Sequence, residues 1–263
     1  MDLGLKGKVA VVAGASQGLG RAVAEELAAE GAHVAICART AARVDAAARE
    51  ISERTGNLVL SATADVTKPA EVEEFVNIAA ERWGAVHIAV ANAGGPPAKP
   101  FDATSLEEWQ KAVDLTLMSS VHLALAVLPQ MRAQKWGRLI FMTSVSIKQP
   151  IENLLLSNAL RAGVAGLAKT LANECARDNV LVNVVCPGYT RTERLEELIA
   201  MIQRQRGVGR EEVIRAWTSQ IPMGRIGEPK ELAALVAFLA SERASYISGA
   251  AIAVDGGWVK GLL

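Results

Sequence analysis

The sequence predicts a single α/β domain, a doubly wound parallel sheet with helices on both faces. Three observations predict it. Short apolar runs alternate with longer amphipathic stretches along the whole chain, the pattern of repeated βα units. The first unit carries a glycine-rich turn, Gly14, Gly18 and Gly20, between its strand and its helix. No Pro/Ser-rich or charged linker divides the 263 residues, so residues 1–263 read as one domain with a sizeable core.

Val9 to Val12 form a continuous apolar run, as in a strand buried on both faces. Ala22, Val23, Leu27 and Ala28 then recur at helical spacing beside Arg21, Glu25, Glu26 and Glu30, and Gly31 is a natural stop. Between strand and helix lie Ser16, Gln17 and Leu19 among the glycines. Backbone N–H groups and a helix N-terminus thus gather around one point, which attracts a phosphate. A plain βα turn recruits glycine as well, and the spacing is not G-x-G-x-x-G, so the turn alone leaves both readings open.

His33 to Ala38 is a second strand, ending at Arg39, 19 residues after Gly20. In a dinucleotide-binding βαβ unit an acid near there bonds the ribose 2′-OH of NAD. Here the positions hold Ala38 and Arg39. A guanidinium pairs with a 2′-phosphate that an acid would repel, which favours NADP(H) over NAD(H). The alternative is an ordinary strand-end arginine.

Residues 41–54 form an Ala-rich helix, and Leu58 to Thr63 a third strand leading to Asp65 and Val66. Lys68 to Trp83 is an amphipathic helix, with Val72, Phe75, Val76 and Ala79 on one face. Val86 to Ala91 is strand four, ending in Asn92-Ala93-Gly94-Gly95-Pro96-Pro97. A long helix spans Leu106 to Gln134; Arg138 to Met142 is strand five, followed by Thr143-Ser144. A helix over Leu154 to Ala176 and a strand over Val180 to Val185 follow, and Cys186-Pro187-Gly188 breaks the strand. Residues 189–222 are a charged excursion with helical pieces at Leu195 to Arg204 and Glu211 to Thr218. They read as a lid or as a solvated insertion. Helix 230–240 and strand Ala250 to Val254 close the chain. Ligands of such sheets bind outside the carboxyl ends of the strands, where Gly14, Arg39, Asp65 and Asn92 all fall.

With 28 basic and 28 acidic residues the net charge is zero, which argues against a nucleic-acid partner. The N-terminal MDLGLKGK lacks a signal-peptide core, and no apolar run approaches the ~20 residues of a membrane helix, so no membrane partner is expected. Cys37, Cys175 and Cys186 fit buried thiols in a reducing cytoplasm. His33, His87 and His122 are far apart and in no ligand motif; they read as structural, and no metal is expected.

In this order the motifs resemble the short-chain dehydrogenase/reductase family, and within it the beta-ketoacyl-acyl-carrier-protein reductase-like and glucose dehydrogenase-like members. The resemblance runs from Leu5 to Gly257. It rests on Gly14-x-x-x-Gly18-x-Gly20, Asp65-Val66, Asn92-Ala93-Gly94, Ser144, Pro187-Gly188-x-x-x-Thr192 and the tail IPMGRIGEP…FLAS…YISG…VDGG. It implies a Rossmann-like fold and a nicotinamide cofactor. Asp65 would lie at the adenine, Asn92 and Gly94 beside the adjacent ribose, and Pro187, Gly188 and Thr192 at the nicotinamide. It also implies a homotetramer. Ala13 and Ala91 stand where the family usually has Thr and Asn, each losing a side-chain hydrogen bond between strand ends.

The larger departure is catalytic. Family enzymes carry Tyr-x-x-x-Lys on the helix after strand five, the Tyr 13 residues beyond the catalytic Ser. From Ser144 that count reaches Ser157, and four further reaches Arg161. The chain's two tyrosines, Tyr189 and Tyr246, lie elsewhere, and the family's Asn in the preceding helix corresponds to Thr116. Reduction of a carbonyl leaves negative charge on oxygen that a proton donor must meet. A phenol of pKa ~10 suits this, and a serine hydroxyl is a far weaker acid. Ser157 would orient the oxygen, and Arg161 would grip the nicotinamide ribose without relaying a proton. Tyr189, Lys148, Glu152 or a water held by Ser144, Ser157 and Thr116 are the alternative donors. The expected function is therefore an NADP(H)-dependent oxidoreductase acting on a ketone such as a beta-ketoacyl thioester. The alternative is a cofactor-binding sensor or weakly catalytic partner subunit.

Overall fold

A computed structural model describes residues 2–262. The elements run β1 (Val9–Val12), α1 (Gly18–Ala29), β2 (His33–Ala38), α2 (Ala41–Thr55), β3 (Val59–Thr63), α3 (Pro69–Trp83) and β4 (Ile88–Ala91). They continue with α4 (Leu106–Ala112), α5 (Ser119–Ala133), β5 (Gly137–Met142), α6 (Leu155–Cys175), β6 (Val180–Pro187), α7 (Glu193–Arg206), α8 (Arg210–Thr218), α9 (Pro229–Ala240) and β7 (Ala251–Val254). The strands form one parallel sheet in the order β3-β2-β1-β4-β5-β6-β7. The order reverses between β1 and β4, so their carboxyl ends open a crevice there.

The continuous apolar runs have the expected cause. β1, β4 and β5 are buried along their whole length, because helices cover both faces. On one side Val72, Phe75 and Val76 of α3 pack with Leu123 and Val127 of α5 and Val164 of α6. On the other, Val23 and Leu27 of α1 pack with Val44 and Ile51 of α2 and Leu232 and Val236 of α9. The described histidines and thiols are structural. His33 stacks on Trp83, His87 Nδ1 accepts the Val9 amide at 3.1 Å, and His122 Nδ1 meets the Val66 carbonyl. The three thiols are buried, and burial pushes Cys37 up to about 12.

One expected element differs in kind. The helix predicted over Leu106 to Gln134 is broken into α4 and α5 by a π-helical turn, Val113–Met118. Periodicity gives no warning of one inserted residue in an otherwise helical stretch, and such turns recur at functional sites. An 18-residue window within the helical stretch 106–133 reaches a mean hydropathy of 1.6. Its inner face, Leu123, Ala124, Val127 and Met131, is packed on the sheet.

Candidate active site

A cleft of about 530 Å³ runs along the carboxyl ends of the strands. Gly14, Ser16, Gln17, Gly18 and Leu19 form one end of its wall, and Arg39, Asp65 and Val66 join them. Asn92, Gly94, Ser144, Ser157 and Arg161 line it further along, with Pro187, Gly188, Tyr189 and Thr192 opposite. Two expected residues stand outside this wall. Gly20 lies behind the turn: a Cβ there would sit 2.5 Å from the Gly14 carbonyl oxygen and 2.7 Å from Asn92 Nδ2. The absence of a side chain there lets the turn close against Asn92. Thr116 lines an adjoining cavity of about 20 Å³, shared with Asn92, Gly94 and Arg161.

The glycine turn is held by Asn92, whose Nδ2 donates to the carbonyls of Ala13 and Gly14 at 3.2 and 3.0 Å. One amide thus ties β1 to β4 despite Ala13 and Ala91. Gly14 and Gly18 sit at φ +59°, a conformation glycine takes without strain. The N-terminus of α1 has no side-chain cap and no acid in its first turn. Its free amides and positive dipole end face the cleft, a fit for a cofactor diphosphate. Arg39 follows β2 and Arg43 lies on the first turn of α2; with Ala38 and Thr40 all of them line the cleft. Burial disfavours the Asp65 carboxylate, but bonds from the Thr67 amide and hydroxyl and the charges of Arg39 and Lys68 outweigh it, holding that carboxyl below its usual range.

At the other end of the cleft Ser144 leads a short helical turn and its Oγ accepts the Ser146 amide at 3.1 Å. Ser157, on the first turn of α6, makes no side-chain hydrogen bond among the described residues. Asn158 fixes the loop above, accepting from the Ile151 amide and donating to the Ile151 carbonyl. That turns Ile151 and Leu154 into the cleft and leaves Glu152 exposed. Glu152 and Lys148, both considered as donors from sequence, do not line the cleft, because this loop presents its apolar residues inward. Arg161 Nη1 donates to the carbonyls of Met142 and Thr143 at 3.2 and 2.9 Å, pinning α6 to the end of β5. Burial and the neighbouring Arg194 bring its pKa down to about 10, so it stays charged at neutral pH. Thr116 Oγ1, aimed by the π turn, is buried without a protein partner, beside space for one water.

Tyr189 stacks on Trp217 at 4.6 Å and meets Trp258 edge-on at 5.4 Å. Burial pushes its phenol up, away from the acidity a proton donor needs. Residues 189–222 form α7 and α8, whose Leu195, Ile199, Val213 and Trp217 make a small separate core with Ile226. Thr192 caps α7, and Arg194 Nη2 reaches across to the Pro96 carbonyl at 3.1 Å. Sequence reasoning missed Arg43 and Arg194. Arg43 had a signal, four residues after Arg39 across a helix start; Arg194 had none, since what it faces is 98 residues away.

The family model described as "Enoyl-(Acyl carrier protein) reductase" matches residues 14–259. The 3-oxoacyl-acyl-carrier-protein reductase FabG of Aquifex aeolicus is 34% identical over 261 residues, 98% of this chain and 99% of that one. The D-beta-hydroxybutyrate dehydrogenase of Rhizobium meliloti is 32% identical over 255 residues, 95% and 98% of the two chains. L-Sorbose reductase from Gluconobacter frateurii, solved with NADPH and L-sorbose, superposes with a TM-score of 0.94 at 36% identity, over 100% of both chains. Sheet order, glycine turn, cleft and these relatives agree: the chain belongs to the short-chain dehydrogenase/reductase family.

Proposed function

We propose that the protein is an NADP(H)-dependent oxidoreductase that interconverts a ketone and an alcohol, with a proton donor other than tyrosine. The observation that carries this reading is one cleft that joins the uncapped α1 N-terminus and the Arg39–Arg43 pair to Ser144 and Ser157. The NADPH-bound L-sorbose reductase structure supports the cofactor. NADP(H) supplies or accepts the hydride. Ser144 and Ser157 orient and polarise the substrate oxygen, and Arg161 places positive charge beside it. In this reading a water in the space beside Thr116 Oγ1 would relay a proton from bulk solvent to the oxygen, next to the charge of Arg161. Tyr189 is a wall residue in this scheme, and α7 and α8 form the lid. Ser157-x-x-x-Arg161 stands in place of the family's Tyr-x-x-x-Lys. General acid catalysis is typically worth ~10²–10⁴-fold, so turnover is slow. A homotetramer in the cytoplasm belongs to the same reading.

The test is NADPH oxidation at high enzyme concentration against ketoacyl thioesters, diketones and sugar-derived ketones, with cofactor binding followed by fluorescence. Oxidation above the no-enzyme rate supports the reading. Tight binding with no oxidation across the panel transfers the weight to a cofactor-binding sensor or partner subunit, the reading that Ser157 and Arg161 also motivate.

The lid carries a further expectation. Glu193 Oε2 lies 3.5 Å from where a Cβ on Gly18 would be, so its carboxylate faces the diphosphate position. Two like charges ~4 Å apart cost about 1 kcal/mol even in water. Glu193→Gln is therefore expected to tighten NADPH about fivefold in a fluorescence titration. An unchanged Kd would place Glu193 in solvent when the cofactor binds.

A further inference from the structure

Arg194 has no part in the reaction above, yet it shares the cleft with Arg161. Both guanidiniums converge on one point. A Cβ on Gly95 would stand 3.8 Å from Arg194 Nε and Nη2 and 3.9 Å from Arg161 Nη2. The two guanidiniums are therefore within about 8 Å of each other beside Gly95. Arg194 is partly compensated, by Glu197 at 3.2 Å and the Pro96 carbonyl at 3.1 Å. Arg161 has only the two backbone carbonyls on Nη1, and no carboxylate among the described residues pairs with it. A buried cation facing a second cation is costly unless an anion is shared between them.

We propose that Arg161 and Arg194 clamp a carboxylate of the substrate, so that the compound reduced is an oxo acid. This rests on the reductase reading above. A carboxylate accepting N–H bonds of ~2.8 Å from both sides spans about 6–8 Å between its donors, within the limit that the Gly95 distances set. Ser157 lies one turn before Arg161 on the same face of α6, ~6 Å along the helix axis. Ser144, Ser157 and Arg161 line one cleft, so an oxygen bound at the serines and a carboxylate bound at Arg161 would belong to one small oxo acid, with 2-oxo and 3-oxo acids as the probes. The other source of an anion is a phosphate of the cofactor. The α1 N-terminus already provides for that between β1 and α1, whereas Gly95 follows β4.

The experiment measures thermal protection of the NADPH-saturated protein by pyruvate, acetoacetate and 2-oxoglutarate, each against its methyl ester. The acids are expected to raise Tm and the esters to leave it unchanged. Arg194→Gln removes one donor, and Gly95→Ala places a methyl between the two guanidiniums without a clash. Each is expected to weaken the acids at least tenfold, with the NADPH Kd within threefold of the parent. Arg194→Lys, which keeps the charge, is expected to restore part of the acid binding. Equal protection by acids and esters overturns the proposal. So does weakened NADPH with unchanged acid binding, which gives the pair to the cofactor phosphates. Failure of NADPH to bind the parent protein overturns the reductase reading and the clamp together. NADPH oxidation by neutral ketones alone leaves that reading standing and removes only the clamp.

Discussion

Ser157→Tyr is expected to raise NADPH-dependent ketone reduction about 10²-fold, because in the proposed reaction it replaces a serine hydroxyl with a phenol, a far stronger acid. Position 157 is on the first turn of α6, and its side chain opens into the cleft beside Ser144. A tyrosine there extends into about 530 Å³ of open space. Arg161 is four residues on, hence on the same face one turn away, and its charge favours the ionised phenol, making it a better donor. The sign of the pH dependence follows. Reduction needs the phenol protonated, so the gained activity disappears as pH rises through the tyrosine pKa. The parent protein, with no phenol at this position, lacks that limb. Adding Arg161→Gln to the tyrosine variant removes the cation, raises the phenol pKa and returns most of the gain. A folded Ser157→Tyr protein that binds NADPH normally and turns over no faster would show that the cleft does not align a ketone with the cofactor. The sensor reading would then be the better one.

Much of this site was legible because its parts are backbone motifs at strand ends. The glycine turn, Asn92 and Pro187-Gly188 fall there by chain order alone, and alternation of βα units puts all strand ends on one edge. What was not legible depends on contacts between distant segments. The π turn that aims Thr116 adds one residue to a helical stretch and leaves the apolar pattern nearly intact. Arg194, on α7, meets the Pro96 carbonyl and Gly95 only because α7 packs against the loop after β4. Glu152 looked suitable by sequence position, but Asn158 holds its loop with Ile151 inward. Gly20 matched the motif yet serves the closeness of Gly14 and Asn92. Motif matching identifies which residue occurs; which atom it touches is settled by packing.

The double variant Arg39→Ala with Arg43→Ala is expected to weaken NADPH about 10–100-fold while changing NADH by less than about threefold. Both residues line the cleft, Arg39 just after β2 and Arg43 on the first turn of α2. A charge-assisted hydrogen bond to a phosphate is worth ~1.5–3 kcal/mol, and ~1.4 kcal/mol is tenfold in affinity. The loss belongs to NADPH because only it carries a 2′-phosphate. Asp65 sharpens the comparison. Its carboxylate is held ionised in part by Arg39, so removing Arg39 leaves that negative charge facing the nucleotide, which disfavours a 2′-phosphate more than a 2′-hydroxyl. Salt provides the control: the NADPH advantage of the parent should shrink as ionic strength rises, and the variant should lose that slope. Ala38→Asp is the converse change. It places an acid at the strand end to accept the ribose 2′-OH and is expected to turn the preference towards NADH. Equal losses for both nucleotides in the double variant would assign Arg39 and Arg43 to the diphosphate or the adenine and remove the structural basis for preferring NADP(H).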